Sequence, residues 1–229
     1  MDSLGDRMKA NYEDRYRFYL TRRTPVIIRL DGKAFHSLTR GYEKPFSQTF
    51  CSAMDTVALK LCEDIQGAKC AYVQSDEISI LLTDFDKLTT SAWFDYNVQK
   101  IASVSAGMAS AILTNILGDD TVAVFDSRVF NIPKEEVANY FVWRQKDWIR
   151  NSVEMLARSH FSHKELHKKC QADMHEMLHT KGVNWADLKQ RYKNGKFVYR
   201  WLGYVSSRVD VIFTGERDVI ERYLTEGER

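Results

Sequence analysis

AYVQSDEISILL, residues 71–82, is the stretch that decides the predicted fold. AYV and ISILL are apolar runs, and only QSDE separates them, so the stretch predicts a tight β-hairpin. Two adjacent carboxylates, Asp76 and Glu77, stand in the connection. The stretch therefore predicts two paired strands with an acidic turn at the edge of their sheet.

Elements on either side of this hairpin extend the pattern. TPVIIRL at 24–30 predicts a buried strand that ends at Asp31 and Gly32, and apolar residues at helical spacing predict a helix over about 47–65. A long apolar stretch with many small residues predicts a helix over 92–117, and TVAVFDSRVFNI at 121–132 predicts a strand. The order βαββαβ predicts an α+β fold of ferredoxin-like type, in which helices cover one face of an antiparallel sheet. Many polymerase palms and cyclases have this arrangement.

The chain after Pro133 has a different character. It predicts a long helix, a basic stretch rich in histidine, and short strands around FVYRWL and VDVIF. We therefore predict a palm-like catalytic domain over 1–133, opened by a helix to about Arg17. Residues 134–229 are predicted to form a mostly helical elaboration that packs on the palm and faces RNA.

Composition limits the class of protein. With 229 residues, 44% of them hydrophobic, the chain can bury a sizeable core. No run approaches the roughly 18 apolar residues of a membrane span, and the N-terminus lacks the apolar core of a signal peptide. The four cysteines form no CxxC pair, which indicates reduced thiols. We predict an intracellular, cytoplasmic protein without a membrane partner.

Charge is distributed unevenly along the chain. Residues 141–200 hold 13 Lys/Arg, 6 Asp/Glu and five of the six histidines, although the whole chain carries a formal charge of only +2. A basic segment of this kind suits a polyanion, because Lys and Arg near phosphates release condensed counterions.

Three carboxylates converge in the predicted sheet. Asp31 follows one strand, and Asp76 and Glu77 lie in the hairpin beside it. Such a cluster favours cations, and Mg²⁺ prefers one or two carboxylates together with substrate phosphates. Two Mg²⁺ ions can activate an attacking hydroxyl and stabilise a leaving pyrophosphate. Gly32 allows close approach of the backbone, so its carbonyl is a further candidate ligand. Basic residues suited to triphosphate oxygens are Lys33, Lys44 and Arg128.

Four segments in sequence order carry a family resemblance. IRLDGKAFHSLTRGYEKP at 28–45, AYVQSDEISILL at 71–82, VFDSRVFNIP at 124–133 and WRQKD at 143–147 resemble the signature segments of the tRNA-His guanylyltransferase family. The resemblance covers roughly the first two-thirds of the chain. It implies a nucleotidyltransferase that adds nucleotides in the 3′–5′ direction to the 5′ end of a tRNA. The RNA end is activated with ATP or GTP, and the 3′-hydroxyl of the incoming nucleotide attacks it.

The resemblance also implies roles for particular residues. Asp31, the Gly32 carbonyl and Asp76 would carry two magnesium ions, and Glu77 would complete the catalytic carboxylates. The implied nucleotide contacts are Asp31, Gly32, Lys33, Ala34, Phe35, His36, Lys44, Ser75, Asp76, Lys100, Arg128 and Lys193. We assign RNA contacts to Arg144, Lys146, Arg150 and Asn151.

One departure points to a branch of this family. Eukaryotic members have HINN after the WRQ segment, and this chain has WIRN at 148–151. The chain is therefore most similar to the bacterial, archaeal and phage guanylyltransferase-like proteins, which implies templated repair of tRNA 5′ ends with GTP or other nucleoside triphosphates. Family members form homotetramers as dimers of dimers, which we expect here.

Other functions stay open on the sequence alone. A nucleotide or dinucleotide cyclase would use the same two-metal palm, and a non-catalytic RNA-binding module would retain the fold without turnover. His160, His163, His167 and Cys170 fall at helical spacing, which offers zinc a set of ligands if one helix spans them. The chain has no GxxxxGK[ST] phosphate loop.

Overall fold

The computed structural model describes residues 3–118 and 121–225. Six strands form one sheet: β1 (Val26–Gly32), β2 (Ala68–Gln74), β3 (Glu77–Leu82), β4 (Phe125–Asn131), β5 (Lys196–Trp201) and β6 (Tyr204–Arg208). The helices are α1 (Leu4–Met8), α2 (Phe35–Leu38), α3 (Gln48–Asp64), α4 (Val98–Leu117), α5 (Lys134–Arg158), α6 (His163–Leu166), α7 (Gln171–Thr180), α8 (Gln190–Asn194) and α9 (Asp218–Glu221).

The sheet is antiparallel throughout, with strand order β4-β1-β3-β2-β5-β6. The first four strands have the predicted ferredoxin-like arrangement, and the predicted βαββαβ order is confirmed. The β2–β3 hairpin closes at Gln74 and Glu77, which are register partners. Ser75 and Asp76 therefore form the whole turn.

Each face of the sheet is covered by helices. Ile28 and Leu30 of β1 belong to the core that contains α3 and α4, and Ile27 belongs to the core that contains α5. Successive strand residues point to opposite faces, so this alternation fixes the face on which every polar residue of β1 lies. By length and composition α4 is apolar enough to cross a membrane, a test that core helices also pass. Here its Ile101, Ala109 and Leu113 are buried against the sheet.

The residues after Pro133 contribute to this same sheet. FVYRWL at 197–202 overlaps β5, which pairs with β2, as the sequence predicts for a strand. VDVIF at 209–213 is not a strand, and that prediction was wrong. Gln145 of α5 explains the difference, because its side chain donates to the Val211 carbonyl (2.9 Å) and accepts from the Phe213 amide (2.8 Å). Because these backbone groups bond to a side chain, they are not available for hydrogen bonds to a neighbouring strand.

Candidate active site

Register places the acidic residues together at one edge of the sheet. Asp31 of β1 is paired with Glu77 of β3 on one side and with Asp126 of β4 on the other. Asp76 lies in the β2–β3 turn, and its carbonyl oxygen accepts from the Gly32 amide at 3.2 Å. The predicted convergence of Asp31, Asp76 and Glu77 is therefore present, and Asp126 joins it.

The electrostatics of Asp31 and Asp76 are those of a cation site. Burial and the nearby Glu77 raise the pKa of the Asp31 carboxyl, although Arg29 opposes the effect. Burial also raises the pKa of Asp76, although hydrogen bonds to its own amide and to Ser75 oppose it. Each ionised carboxylate is therefore disfavoured by its surroundings, and a bound cation would restore the charged form.

Glu77, predicted to complete the catalytic carboxylates, is held by two arginines. Its carboxylate accepts two hydrogen bonds from Arg144, from Nε and Nη2, each at 2.7 Å, and Arg29 Nη2 lies 2.7 Å away. Gln74 donates a further bond at 3.0 Å, and Arg144 also reaches Asp147 at 3.1 Å. Because arginines neutralise both of its oxygens, these contacts indicate a structural contribution to the acidic edge, and the predicted catalytic role of Glu77 stays a prediction.

Two grooves meet at the Ser75–Asp76 turn. The acid groove, about 390 Å³, lies on the α5 face and is lined by Arg29, Asp31, Gln74, Ser75, Asp76, Glu77, Arg144, Asp147, Trp148, Asn151, Glu154, Met155 and Arg158. The glycine-loop groove, about 330 Å³, lies on the α3–α4 side and is lined by Gly32, Ala34, Phe35, His36, Thr39, Phe50, Ser75 and Asp76. Asp76 thus faces two spaces at once.

Aromatic packing builds the floor of the glycine-loop groove. Phe35 is 3% exposed and packs edge-on against Phe50 and Phe125, so the ring is mainly a core residue. Phe35 could therefore contact a nucleotide only through the part of its ring that forms the floor of the groove. A Cβ on Gly32 would lie 2.6 Å from Phe35 Cγ, so glycine is required by this close approach. His36 is exposed in α2 and lines the groove.

Three predicted phosphate-binding residues lie near these grooves. Lys33 is exposed directly after Gly32, and Lys44 Nζ donates at 3.1 Å to the carbonyl of Thr39, which lines the glycine-loop groove. Arg128 is register-paired with Arg29 on the same edge, and its side chain is 57% exposed. The Lys44 ammonium group is therefore bonded to a backbone carbonyl, and the contacts of all three cations with a triphosphate stay a prediction.

The structure separates two other predicted contacts from the site. Ser110 of α4 accepts from the amide of Phe125, which pairs with Gly32, whereas Lys100 lies about 15 Å back along the helix axis. Lys100 therefore does not reach its own chain's grooves. Lys193 donates to the carbonyl of Ala186 and lies 5.7 Å from the Trp185 ring centroid, so local contacts occupy its ammonium group.

Of the predicted RNA contacts on α5, one is buried and three are accessible. Arg144 is 5% exposed and bound to Glu77, so it is unavailable to RNA and that assignment was wrong. Lys146 and Arg150 are exposed, with Arg150 paired to Asp147, and Asn151 lines the acid groove. The sequence WRQKD alone does not show which of its side chains points toward the sheet.

The residues at the edge fit a magnesium site of two carboxylates and a carbonyl. Asp31 and Asp76 have raised pKa values and no arginine on their oxygens in the described ion pairs, and the Gly32 backbone lies between them. Among residues 3–118 and 121–225, no group of three His, Cys, Asp or Glu side chains is placed to hold a metal.

The structure does not support the zinc site considered for His160, His163, His167 and Cys170. α6 ends at Leu166 and α7 begins at Gln171, so no single helix carries the four candidate ligands. The rings of His163 and His167 are 6.4 Å apart.

Sequence analysis missed three residues of this edge: Arg29, Asp126 and Asp147. Arg29 and Asp126 lie inside the quoted segments, two residues before Asp31 and Arg128 respectively, and strand alternation places each on the same face of the sheet as that residue. Asp147 is three residues after Arg144, one helical turn along α5, but that signal is common to many surface pairs.

Comparison with known proteins gives consistent matches. A family model described as tRNAHis guanylyltransferase matches residues 5–133. A solved structure of a bacterial tRNA(His) guanylyltransferase-like protein in complex with ATP is 44% identical, covers 97% of this chain and 99% of that chain, and has a TM-score of 0.93. A structure with the same description in complex with GTP is 41% identical, with the same coverage and a TM-score of 0.86. The tRNA(His) guanylyltransferase of Debaryomyces hansenii is 26% identical over 214 residues, which are 82% of this chain and 78% of that protein.

Proposed function

The chain belongs to the tRNAHis guanylyltransferase family and is a nucleotidyltransferase, and we propose that it repairs tRNA 5′ ends by templated, magnesium-dependent addition in the 3′–5′ direction. The substrates are a tRNA lacking 5′ nucleotides, GTP or another nucleoside triphosphate, and ATP for activation. Family membership confirms the resemblance predicted from the sequence. The site of action proposed is the cytoplasm, and the proposed assembly is a homotetramer.

The observation that carries this proposal is the meeting of two grooves at Asp76. A cyclase acting on nucleotides alone needs no extended second space, whereas addition to an RNA end must bring a nucleotide and an RNA terminus to one point. The glycine-loop groove suits the nucleotide, because it has a phenylalanine floor and Lys44 at its mouth. The acid groove suits the RNA end, because it runs along α5 toward the basic segment.

The relatives supply the nucleotide identities. The bacterial structures are described as complexes with ATP and with GTP, and this chain is 44% and 41% identical to those proteins. We extend both ligands to this chain. Ser75, whose backbone φ is +45°, presents its hydroxyl beside Asp76 where the two grooves meet.

The protein's own residues perform the positioning. Asp31, the Gly32 carbonyl and Asp76 would hold magnesium, which when bound supplies Lewis-acid stabilisation of phosphoryl oxygens. Gly32 brings the backbone close to the nucleotide, and Lys33 and Lys44 offset triphosphate charge. In the proposed reaction the nucleotide 3′-hydroxyl attacks the activated 5′ phosphorus, a new phosphodiester forms, and AMP or pyrophosphate leaves.

The test is incorporation of labelled GTP, and separately of each other nucleoside triphosphate, into several tRNAs lacking the 5′ nucleotide, with magnesium and ATP present. We expect addition that matches the opposing 3′ strand and is lost in Asp76→Asn. The matched control is Asp86→Asn, an exposed carboxylate at the far end of the sheet, which should retain activity. Restoration limited to tRNA-His would contradict the repair function, and absence of addition to every tRNA by folded protein would contradict the reaction itself.

A further inference from the structure

A third groove continues the acid groove beyond the sheet. This histidine groove, about 490 Å³, lies between the end of α5 and the α6–α7 segment, and its lining includes Glu154, Arg158, His163, His167, Lys168 and Lys169. Glu154 and Arg158 also line the acid groove. The two grooves therefore adjoin at these two side chains, between Asp31 and Asp76 on one side and the exposed lysines on the other.

The charge of the histidine groove is positive because its carboxylate is neutralised. Glu154 is paired with Arg158, one turn along α5. Lys168 and Lys169 are exposed and form no ion pair with any residue in the described ranges 3–118 and 121–225. Two free ammonium groups next to two imidazoles form a surface that attracts a polyanion.

Two nearby acids are engaged in hydrogen bonds at helix starts. Glu165 accepts from the amide and hydroxyl of Ser162 at 2.8 and 2.7 Å, which caps α6. Asp173 accepts from the amide of Cys170 at 3.0 Å, which caps α7. These bonds lower the pKa of both carboxyls and hold them at helix starts. The local acids thus cap helices and form no ion pair with either lysine within the described residues, although Asp173 interacts electrostatically with Lys169.

The length of the path matches several nucleotides. Trp148 lines the acid groove beside Asp31, and Arg158 lies ten residues further along α5, or about 15 Å. With stacked nucleotides about 3.4 Å apart along a strand, that distance corresponds to roughly four nucleotides. Lys168 and Lys169 lie beyond it.

We propose that the acid and histidine grooves together form a track for the phosphate backbone of the substrate RNA, in which Lys168 and Lys169 contact phosphates several nucleotides from the reacting 5′ end. This inference rests on the proposed function and adds the surface by which the same site holds its RNA. Phosphate contacts of this kind position a strand without reading its sequence, which suits an enzyme that repairs different tRNAs.

The test compares two doubly substituted proteins that each lose two positive charges. Lys168 has φ +61°, which alanine tolerates poorly, so the track variant is Lys168→Asn with Lys169→Ala. The matched control is Lys9→Ala with Lys60→Ala. Both lysines are exposed, Lys9 near the N-terminus and Lys60 on α3. Circular dichroism and thermal unfolding verify that both variants are folded.

Affinity for a 5′-truncated tRNA is measured by fluorescence anisotropy at several KCl concentrations. We expect the track variant to bind about tenfold more weakly at low salt, with a slope of log K against log salt that is smaller by roughly 1.5, since each lost phosphate contact removes about 0.7–0.9. The KM for tRNA should rise while the KM for GTP and kcat stay unchanged. The control variant should match the parent protein.

Three results would overturn the track. They are an unchanged slope in the track variant, an equal loss in the control, or a fall in kcat with unchanged tRNA affinity. A parent protein that adds nucleotides but shows one of these results contradicts only the track. A parent protein that binds tRNA and adds nothing contradicts the proposed function instead.

Discussion

Replacement of Glu77 by glutamine tests whether this carboxylate is structural or catalytic. Glutamine keeps the size of the side chain and its bond to Gln74, but it removes the charge that Arg144 and Arg29 share. Arg144 is 5% exposed, so its guanidinium would remain buried with one partner fewer. Only Asp147, at 3.1 Å, would still offset its charge.

The magnitude follows from the burial of this pair. Removing one partner of a buried ion pair costs about 3–5 kcal/mol, and the remaining Asp147 contact places Glu77→Gln near the lower end, at about 3 kcal/mol. At about 2–4 °C per kcal/mol for a chain of this size, the melting temperature should fall by roughly 6–12 °C. Urea and thermal unfolding followed by circular dichroism measure both quantities.

Two further variants identify the cause. Glu221→Gln breaks the exposed Arg217–Glu221 pair and should cost less than about 1 kcal/mol. Glu77→Gln combined with Arg144→Met should recover much of the lost stability, because it leaves no unpaired charge on α5. A Glu77→Gln protein as stable as the parent but inactive at 25 °C would refute this reasoning and make Glu77 a direct participant in the chemistry.

Three other substitutions have definite expected outcomes. Gly32→Ala places a Cβ 2.6 Å from the Phe35 ring and should cost about 1–3 kcal/mol in urea unfolding and reduce nucleotide addition, whereas Gly41→Ala, with open space around it, should do neither. Burial raises the pKa of the Asp31 carboxyl, so the stability that its protonated form contributes is present at acid pH and is lost as pH rises through the folded-state pKa. Asp31→Asn should therefore be at least as stable as the parent at pH 7 without magnesium, lose that advantage near pH 4, and gain nothing from added magnesium; a clear loss of stability at pH 7 would contradict this. Tyr72→Phe removes a buried 2.9 Å hydrogen bond to a carbonyl of α8 and should cost about 1 kcal/mol with kcat unchanged, so a large loss of activity would show a role in the site.

The sequence was sufficient for the palm because its signals are local and consistent. The hairpin at 71–82 has apolar strands and a two-residue turn, and α3 begins at Gln48 with Ser47 as its side-chain cap. Alternation in β1 decided which face each residue takes. The fate of VDVIF was not predictable, because the side chain of Gln145, more than 60 residues earlier, takes the place of a strand partner.

The site was predictable as a set of acids but not as a set of roles. Asp31 and Asp76 follow strand ends, which the sequence shows directly. The charge of Glu77 is neutralised by Arg144 of α5. The two residues are far apart in sequence and meet only in the folded protein. Lys100 matched a family position, yet the direction of α4 carries it away from the grooves, and a motif contains no information on helix direction.

The two grooves follow from a single step along β1. Asp31 lies on the α5 face with Glu77, and Gly32, the next residue, lies on the α3–α4 face against Phe35. The Gly32 amide is bonded to the Asp76 carbonyl, so the β2–β3 turn is held across the strand end where the two faces meet. A shift of one residue in the β1–β3 register would exchange these faces and bury a carboxylate among the phenylalanines. The apolar pairing of Ile28 with Ile80 opposes that shift, and the core of the sheet therefore fixes the two grooves on opposite faces, with Asp76 lining both.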